Sequence, residues 1–352
     1  MIRAWRHPGS GALLPLVPGD QPDPVLQGDQ VLIAVHAAVL GQPERAVRTA
    51  YTPGGAGLGK VVAAGESAAH MLGQKVAIGP EQPCGECDIC RRGGAVVCPS
   101  ATYLGRTADG TLASMVVARA RWLCALERDL RVTSPTAALI GREAAWAYAL
   151  FTRAGAGPGE PVIIVGDDVV ARLLAEVSVA KGAKPVVVTA RPGFAAWIEA
   201  CGGMPVAADP AAVAAAAARG GHGKRPWFVF ETSATPEHRA LAMSLAGPGT
   251  RMTLLSAQAA GRADAAASSI SQPLMERLID LDGVCIGVAG AHPDLLPEVA
   301  ALAVRGDLDL VAATEVLSLE EAMARGADGD DSSSDAAPRA LVVTLPDAVL
   351  PA

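Results

Sequence analysis

Aromatic side chains are scarce in this sequence, at 3% of its 352 residues. The core must therefore be built from small and aliphatic side chains, and runs such as Ala214–Ala218 predict helices packed closely together. There is no basic block, and the formal net charge is −7, which argues against a protein that tracks nucleic-acid phosphates. No apolar run reaches the ~20 residues that span a bilayer, so no membrane segment is expected. The opening residues, Met1 to Arg6, lack the apolar centre of a signal peptide. These absences place the chain in the cytoplasm, where thiols stay reduced.

What is present suits two domains, because 352 residues exceed one ordinary core and 51% of them are hydrophobic. Residues 1–150 read as β-rich. Short apolar runs at Val31–His36, Gly59–Ala64, Lys75–Ile78 and Ser114–Val117 alternate with Gly/Pro punctuation, and turn-like stretches such as Pro18–Pro24 separate them. From Gly157 the rhythm changes. Strands are expected at Pro161–Gly166, Pro185–Thr189, Pro205–Ala208, Trp227–Glu231, Arg251–Ser256 and Gly283–Val288. Helices fall between the earlier ones at Val169–Lys181, Gly193–Cys201, Ala211–Arg219 and Glu237–Ala246. Regular alternation over residues 151–305 predicts an α/β, doubly wound parallel sheet. Ser318-Leu-Glu-Glu321 reads as a capping box opening a helical stretch over Leu317–Arg325. Gly326–Ala337 is acidic and serine-rich and reads as a surface loop; Leu341–Leu345 reads as a last strand.

Four of the seven cysteines fall within fifteen residues, as Cys84, Cys87, Cys90 and Cys98. Clustered cysteines in a reducing compartment read as metal ligands. Short loops turn successive thiolates toward one point, and the longer return brings in the fourth. Four sulfurs close a tetrahedron around zinc and leave no open position, so such a site holds structure rather than activating water.

This spacing, followed by a nucleotide-fold pattern, resembles the medium-chain dehydrogenase/reductase family, in its zinc-type alcohol dehydrogenase branch. Gly59-Lys-Val-Val-Ala-Ala-Gly65 is similar to the family's G-x-V-x-x-x-G strand, and Glu231-Thr-Ser-Ala234 to an element closing a Rossmann strand. The resemblance implies a GroES-like domain carrying the zinc lobe (about residues 84–98), a Rossmann domain, and a segment 306–352 that returns to the first domain. It places the active site in the cleft between them.

The same resemblance implies three ligands for a second, catalytic zinc. Their positions fall at Gly41, Gly55 and Gly141, none of which has a ligating side chain. No catalytic zinc is therefore expected. Tyr51-Thr-Pro-Gly54 is closer to the family's zinc-free quinone and enoyl reductases. The family's G-x-G-x-x-G loop reads here Gly166-Asp-Asp168-Val-Val-Ala171. Asp168 stands where the second glycine lets a diphosphate approach, and a carboxylate there caps the helix and repels phosphate. Arg191 follows the second strand, where it pairs with a 2′-phosphate and favours NADP(H) over NAD(H), or lies solvated on the surface.

For proton transfer the candidates are His36, Tyr51 and Glu44. His36 ends a strand bordering the cleft and can also be a structural hydrogen-bonder. A desolvated Tyr51 phenol can protonate a carbanion or enolate, or simply pack on the domain edge. Glu44 lies where the family keeps an acid near the zinc, and without zinc it reads as a surface carboxylate. Arg45 and Arg48 either attract an anionic substrate such as a CoA ester or are solvated surface arginines, the commoner case. Arg142 and Glu143, beside the third lost ligand, are expected to pair and fill the empty site. The readings are an NAD(P)H-linked oxidoreductase acting without catalytic zinc on a small carbonyl, enone or enoyl thioester; a non-catalytic relative; and a non-redox hydratase or lyase. Family members are commonly dimers or tetramers, and Gly283–Val288 is the expected pairing edge.

Overall fold

The computed structural model describes residues 2–6, 17–41, 50–126, 134–220, 228–256, 272–325 and 335–345. Its second half contains a six-stranded, wholly parallel sheet. The strand order is Met204–Val206, Lys184–Val188, Pro161–Val165, Phe228–Glu231, Arg251–Leu255, Val284–Val288. Chain order along that sheet runs outward from Pro161–Val165 in both directions, so the order reverses between Pro161–Val165 and Phe228–Glu231. That reversal opens a crevice at the strands' carboxyl ends. Both central strands are buried along their whole length, which is why they read as unbroken apolar runs.

The first half contains a sheet centred on Gln30–Val39. One side of this long strand pairs with Gly57–Ala64. The other side is shared: Met115–Arg119 takes its first half, and Ala340–Thr344, near the end of the chain, takes its second. Thr314–Ser318 extends the sheet beyond Ala340–Thr344. The return of the C-terminal segment therefore supplies two strands, of which only the last was expected. Thr314–Ser318 runs directly into the helix Leu319–Arg325, and the capping box forms there, with Ser318 N–H donating to Glu321 Oε2 at 2.8 Å and Glu321 N–H to Ser318 Oγ at 3.2 Å.

Pro18–Pro24 was expected to be turn-like. Val17–Gln21 instead pairs antiparallel with Ile2–Arg6 in a two-stranded ribbon. Val17–Asp20 are exposed, and an exposed edge tolerates Pro18 where a central strand would not. Most of the expected loop Gly326–Ala337 lies outside the described residues; at its end, Asp335 C=O accepts from Gly193 N–H at 2.7 Å.

The crossing between the sheets is made by Pro135–Gly141 and then the helix Glu143–Ala154. The first piece packs on Gln30–Val39, Gly57–Ala64 and Lys75–Ile78; the helix packs on Val169–Ala180 and Arg251–Leu255. The helix is buried nearly all round and stops at Gly155, whose φ of 74° is the left-handed helix stop that glycine favours. One core runs through both halves, from Val39 and Leu58 through Leu139 and Ile140 to Val162, Ile164 and Phe230. Each such fully buried aliphatic side chain stabilises the fold by roughly 1.5–3 kcal/mol.

Candidate functional site

The four clustered cysteines converge. Their sulfurs all lie within 4.8 Å of one another. Cys84–Cys90 and Cys87–Cys98 are separated by 3.9 and 3.8 Å. A tetrahedral zinc with Zn–S bonds of about 2.3 Å spaces its sulfurs by about 3.8 Å, so the donor set fits that ion. Backbone N–H groups already point at the sulfurs here. Cys87 N–H points to Cys84 Sγ at 3.4 Å, and Cys90 N–H to Cys87 Sγ at 3.5 Å. The backbone N–H groups of Glu86 and Cys87 bring the Cys84 thiol down to about 6, while desolvation pushes Cys90 up to about 12. Gly85 takes the left-handed turn (φ 79°) that folds the first two ligands back on each other. Trp122 Nε1–H donates to Pro83 C=O at 2.8 Å and ties the lobe to the first half.

Two of the three glycines at the expected catalytic-metal positions, Gly55 and Gly141, are closely packed. A Cβ on Gly141 would fall on the Ile78 carbonyl oxygen, so no side chain fits there without moving backbone. At Gly55 the space is taken. Arg142 Nη1 lies 3.4 Å from where a Gly55 Cβ would be, and Pro80 Cβ lies at 3.1 Å. Arg142 pairs with Glu143, its Nε–H donating to Oε1 at 2.8 Å, and its guanidinium lies over the Trp146 ring at 5.5 Å. The expected ion pair is formed, and both residues are buried. Gly41 is half-buried.

Glu81, which the sequence did not single out, lies in the same wall. It is buried, and desolvation raises its carboxyl to about 7; its own backbone N–H, the neighbouring Trp146 indole, the Ala291 N–H and the Arg142 charge act the other way. Its only sequence signal is its place three residues before the first cysteine.

Of the candidate proton donors, His36 and Tyr51 lie among the described residues. His36 is half-buried at a bulge between Val35 and Ala37, and its carbonyl accepts from Leu345 N–H at 3.1 Å. Tyr51 is 41% exposed, so its phenol is not desolvated in this form. Glu44, Arg45 and Arg48 lie outside the described residues.

At the crevice of the parallel sheet, Gly166 ends Pro161–Val165 and Asp168 caps the helix Val169–Ala180. Asp168 Oδ1 accepts Ala171 N–H at 2.8 Å, and Oδ2 accepts the Thr232 hydroxyl at 2.8 Å. Burial of the carboxyl raises Asp168 above its usual range; Ala171 N–H, the Thr232 hydroxyl and the His238 charge act the other way. An ionised carboxylate ~4 Å from a phosphate charge would cost on the order of 4 kcal/mol at an effective dielectric of ~20. Asp168 therefore holds the helix N-terminus that a diphosphate would use.

Arg191 is buried rather than solvated, and its Nη1–H donates to the Asp167 carbonyl at 3.3 Å. A polar knot between the end of Phe228–Glu231 and the helix Pro236–Ser244 was also not anticipated. Glu231 Oε1 accepts from Ser233 N–H (2.8 Å), Ser233 Oγ–H (2.9 Å) and Ala234 N–H (2.6 Å). Ser233 Oγ meets His238 Nδ1 at 2.5 Å, and Ala234 takes a strained φ of 55°. Burial raises the Glu231 carboxyl. His238 was hidden because it is close to Ser233 only once the strand turns into the helix Pro236–Ser244.

Residues 27–128 match the alcohol dehydrogenase GroES-like domain. No curated protein matches the sequence. Solved structures match the fold over nearly the whole chain. The alcohol dehydrogenase TADH from Thermus sp. ATN1 aligns with a TM-score of 0.82 at 21% identity, covering 98% of this chain and 100% of that one. Galactitol-1-phosphate dehydrogenase from Escherichia coli gives 0.80 at 19%, covering 98% and 100%. A zinc-binding dehydrogenase from Sinorhizobium meliloti 1021, bound to NADP, gives 0.78 at 20%, covering 98% and 99%. With an alcohol dehydrogenase GroES-like domain over residues 27–128, a parallel sheet in 3-2-1-4-5-6 order and a cysteine cluster able to hold a metal, this chain has the fold of the zinc-type alcohol dehydrogenases.

Proposed function

We propose that this protein is an alcohol dehydrogenase-like oxidoreductase that works without catalytic zinc, exchanging hydride between NADP(H) and a small carbonyl, enone or enoyl thioester. One observation supports the cofactor part: Arg191 follows the second strand, Lys184–Val188, and its guanidinium reaches the Asp167 carbonyl on the loop after Pro161–Val165, beside which a 2′-phosphate would lie. The dinucleotide, when bound, supplies the hydride. The chain's own part is to bind and orient it and to deliver a proton, for which His36, Tyr51 and Glu44 are the candidates. An activated double bond or carbonyl needs only a hydrogen-bond donor in place of a metal. The absence of metal chemistry rests on Arg142 beside Gly55 and on backbone contact at Gly141. Cys84, Cys87, Cys90 and Cys98 hold one structural zinc in this reading. We divide the chain into a GroES-like part (1–150), a Rossmann part (151–305) and a returning segment (306–352), and we place it in the cytoplasm. Among the described residues no helix is long and apolar enough to cross a membrane.

A second reading, a non-catalytic relative, is favoured by Asp168 in the diphosphate seat. Calorimetry with NADPH and NADH at pH 6 separates the two. Binding, tighter for NADPH, supports the oxidoreductase. No heat at millimolar cofactor would leave the non-catalytic reading.

A further inference from the structure

We propose that Asp168 is a proton-operated gate on the dinucleotide seat: the diphosphate enters only with Asp168 protonated, so cofactor binding takes up one proton from solvent. The inference rests on the oxidoreductase reading and deepens it.

The geometry sets the requirement. A diphosphate reaches a Rossmann helix through the N–H groups of its first turn, and Asp168 already holds one of them, Ala171 N–H, at 2.8 Å. Its second oxygen is fixed by the Thr232 hydroxyl across the crevice. The carboxyl is thus anchored by the helix Val169–Ala180 and by the residue that follows the strand Phe228–Glu231, and it stays where the phosphates arrive. Ionised, it repels them. Neutral, it carries an O–H that can donate to a phosphate oxygen, which turns the same group into a ligand.

The other titratable and charged groups that face it remain in Asp168→Asn, so comparison with that variant separates their effect from that of Asp168. Asp167 precedes it on its own loop, and the Asp167 carbonyl is bound by Arg191 from the second strand. Glu231, at the end of the fourth, lies within electrostatic reach but is engaged by Ser233, Ala234 and Arg239. His238, on the following helix, faces Asp168 and is bonded to Ser233. Burial already favours the neutral carboxyl, and an arriving diphosphate favours it further.

Linkage gives the signature. When only the protonated fraction binds, the apparent Kd rises about tenfold per pH unit above the pKa of the group. The test is calorimetric titration of the full chain with NADH and NADPH between pH 6 and 8, in two buffers of different ionisation enthalpy. The natural chain is expected to weaken about tenfold per pH unit relative to Asp168→Asn and to take up about one proton. Asp168→Asn keeps an N-cap side chain, and it should bind with a flat profile for NADH. Using the variant as reference removes the ionisation of the 2′-phosphate itself. Asp168→Gly, which restores the small residue, should match Asp168→Asn. Equal slopes for natural chain and variants, with no proton uptake, overturn the gate and leave the oxidoreductase reading standing. Binding by the variants with none by the natural chain at pH 6 also overturns it. No binding by any of the three at any pH overturns both.

Discussion

Arg142 and Glu143, adjacent in sequence, form an ion pair whose side chains are only 2% and 7% exposed, with Arg142 Nη2 2.7 Å from Glu143 Oε1. The pair lies where the chain passes from one sheet to the other, beside Gly55. A buried pair gains little net stability, but either charge left alone in a dry wall is costly. Arg142→Met is therefore expected to lower the unfolding free energy by about 3–5 kcal/mol, while Arg142→Met with Glu143→Gln should cost clearly less than the sum of the singles. Urea denaturation of the two singles and the double at pH 8 checks this. Additive losses would show that the two groups do not neutralise each other.

Glu81 and Glu176 predict an unusual pH dependence. Burial raises both carboxyls from 4.5 to about 7. Between those values the folded chain binds more protons than the unfolded one, so stability is greatest below about pH 4.5 for these groups. It falls as pH rises through about 7 and is flat above. Each shift corresponds to on the order of 3 kcal/mol. Glu81→Gln and Glu176→Gln should each make the decline between pH 5 and 7.5 clearly shallower in denaturant titrations, with the raised Asp168 and Glu231 carboxyls contributing part of what is left. A natural chain equally stable at both pH values would refute the assignment.

These two carboxyls also mark the limit of what could be read beforehand. The parallel sheet was legible because its central strands are buried on both faces and so appear as Val/Ile runs. The four cysteines were legible because a tetrahedral metal fixes their spacing. Glu81 was not, since its burial depends on Trp146 and Ala291, 65 and 210 positions away along the chain. Ser233 and His238 were not, since a strained residue at Ala234 brings them together. Val17–Gln21 and Thr314–Ser318 were missed as strands because neither carries the alternating or continuous apolar pattern of a buried one.

Cys90 gives the test of the metal centre. Metal analysis of the purified chain is expected to return one zinc. Cys90→Ser should lose it, because serine is a poor zinc ligand and three thiolates leave the tetrahedron open. The consequence should be local: protease sensitivity over residues 84–98 and a lower Tm, with the circular dichroism of the parallel sheet kept. Two zinc ions per chain would overturn the reading of Gly41, Gly55 and Gly141 as lost ligands.

The last strand of the parallel sheet, Val284–Val288, makes the prediction about assembly. It closes one edge of the sheet, and Val284 and Cys285 on it are exposed. An apolar edge with open backbone donors and acceptors pairs readily with a second copy of itself, and a two-fold axis lets both copies use the same patch. Light scattering is expected to find a dimer or a tetramer built from it. Val284→Lys puts a charge on that edge without touching the buried Val288, so the fold should survive while the mass falls to that of the single chain. An unchanged mass for Val284→Lys, with the cofactor titration also unchanged, would place the assembly surface elsewhere on the molecule.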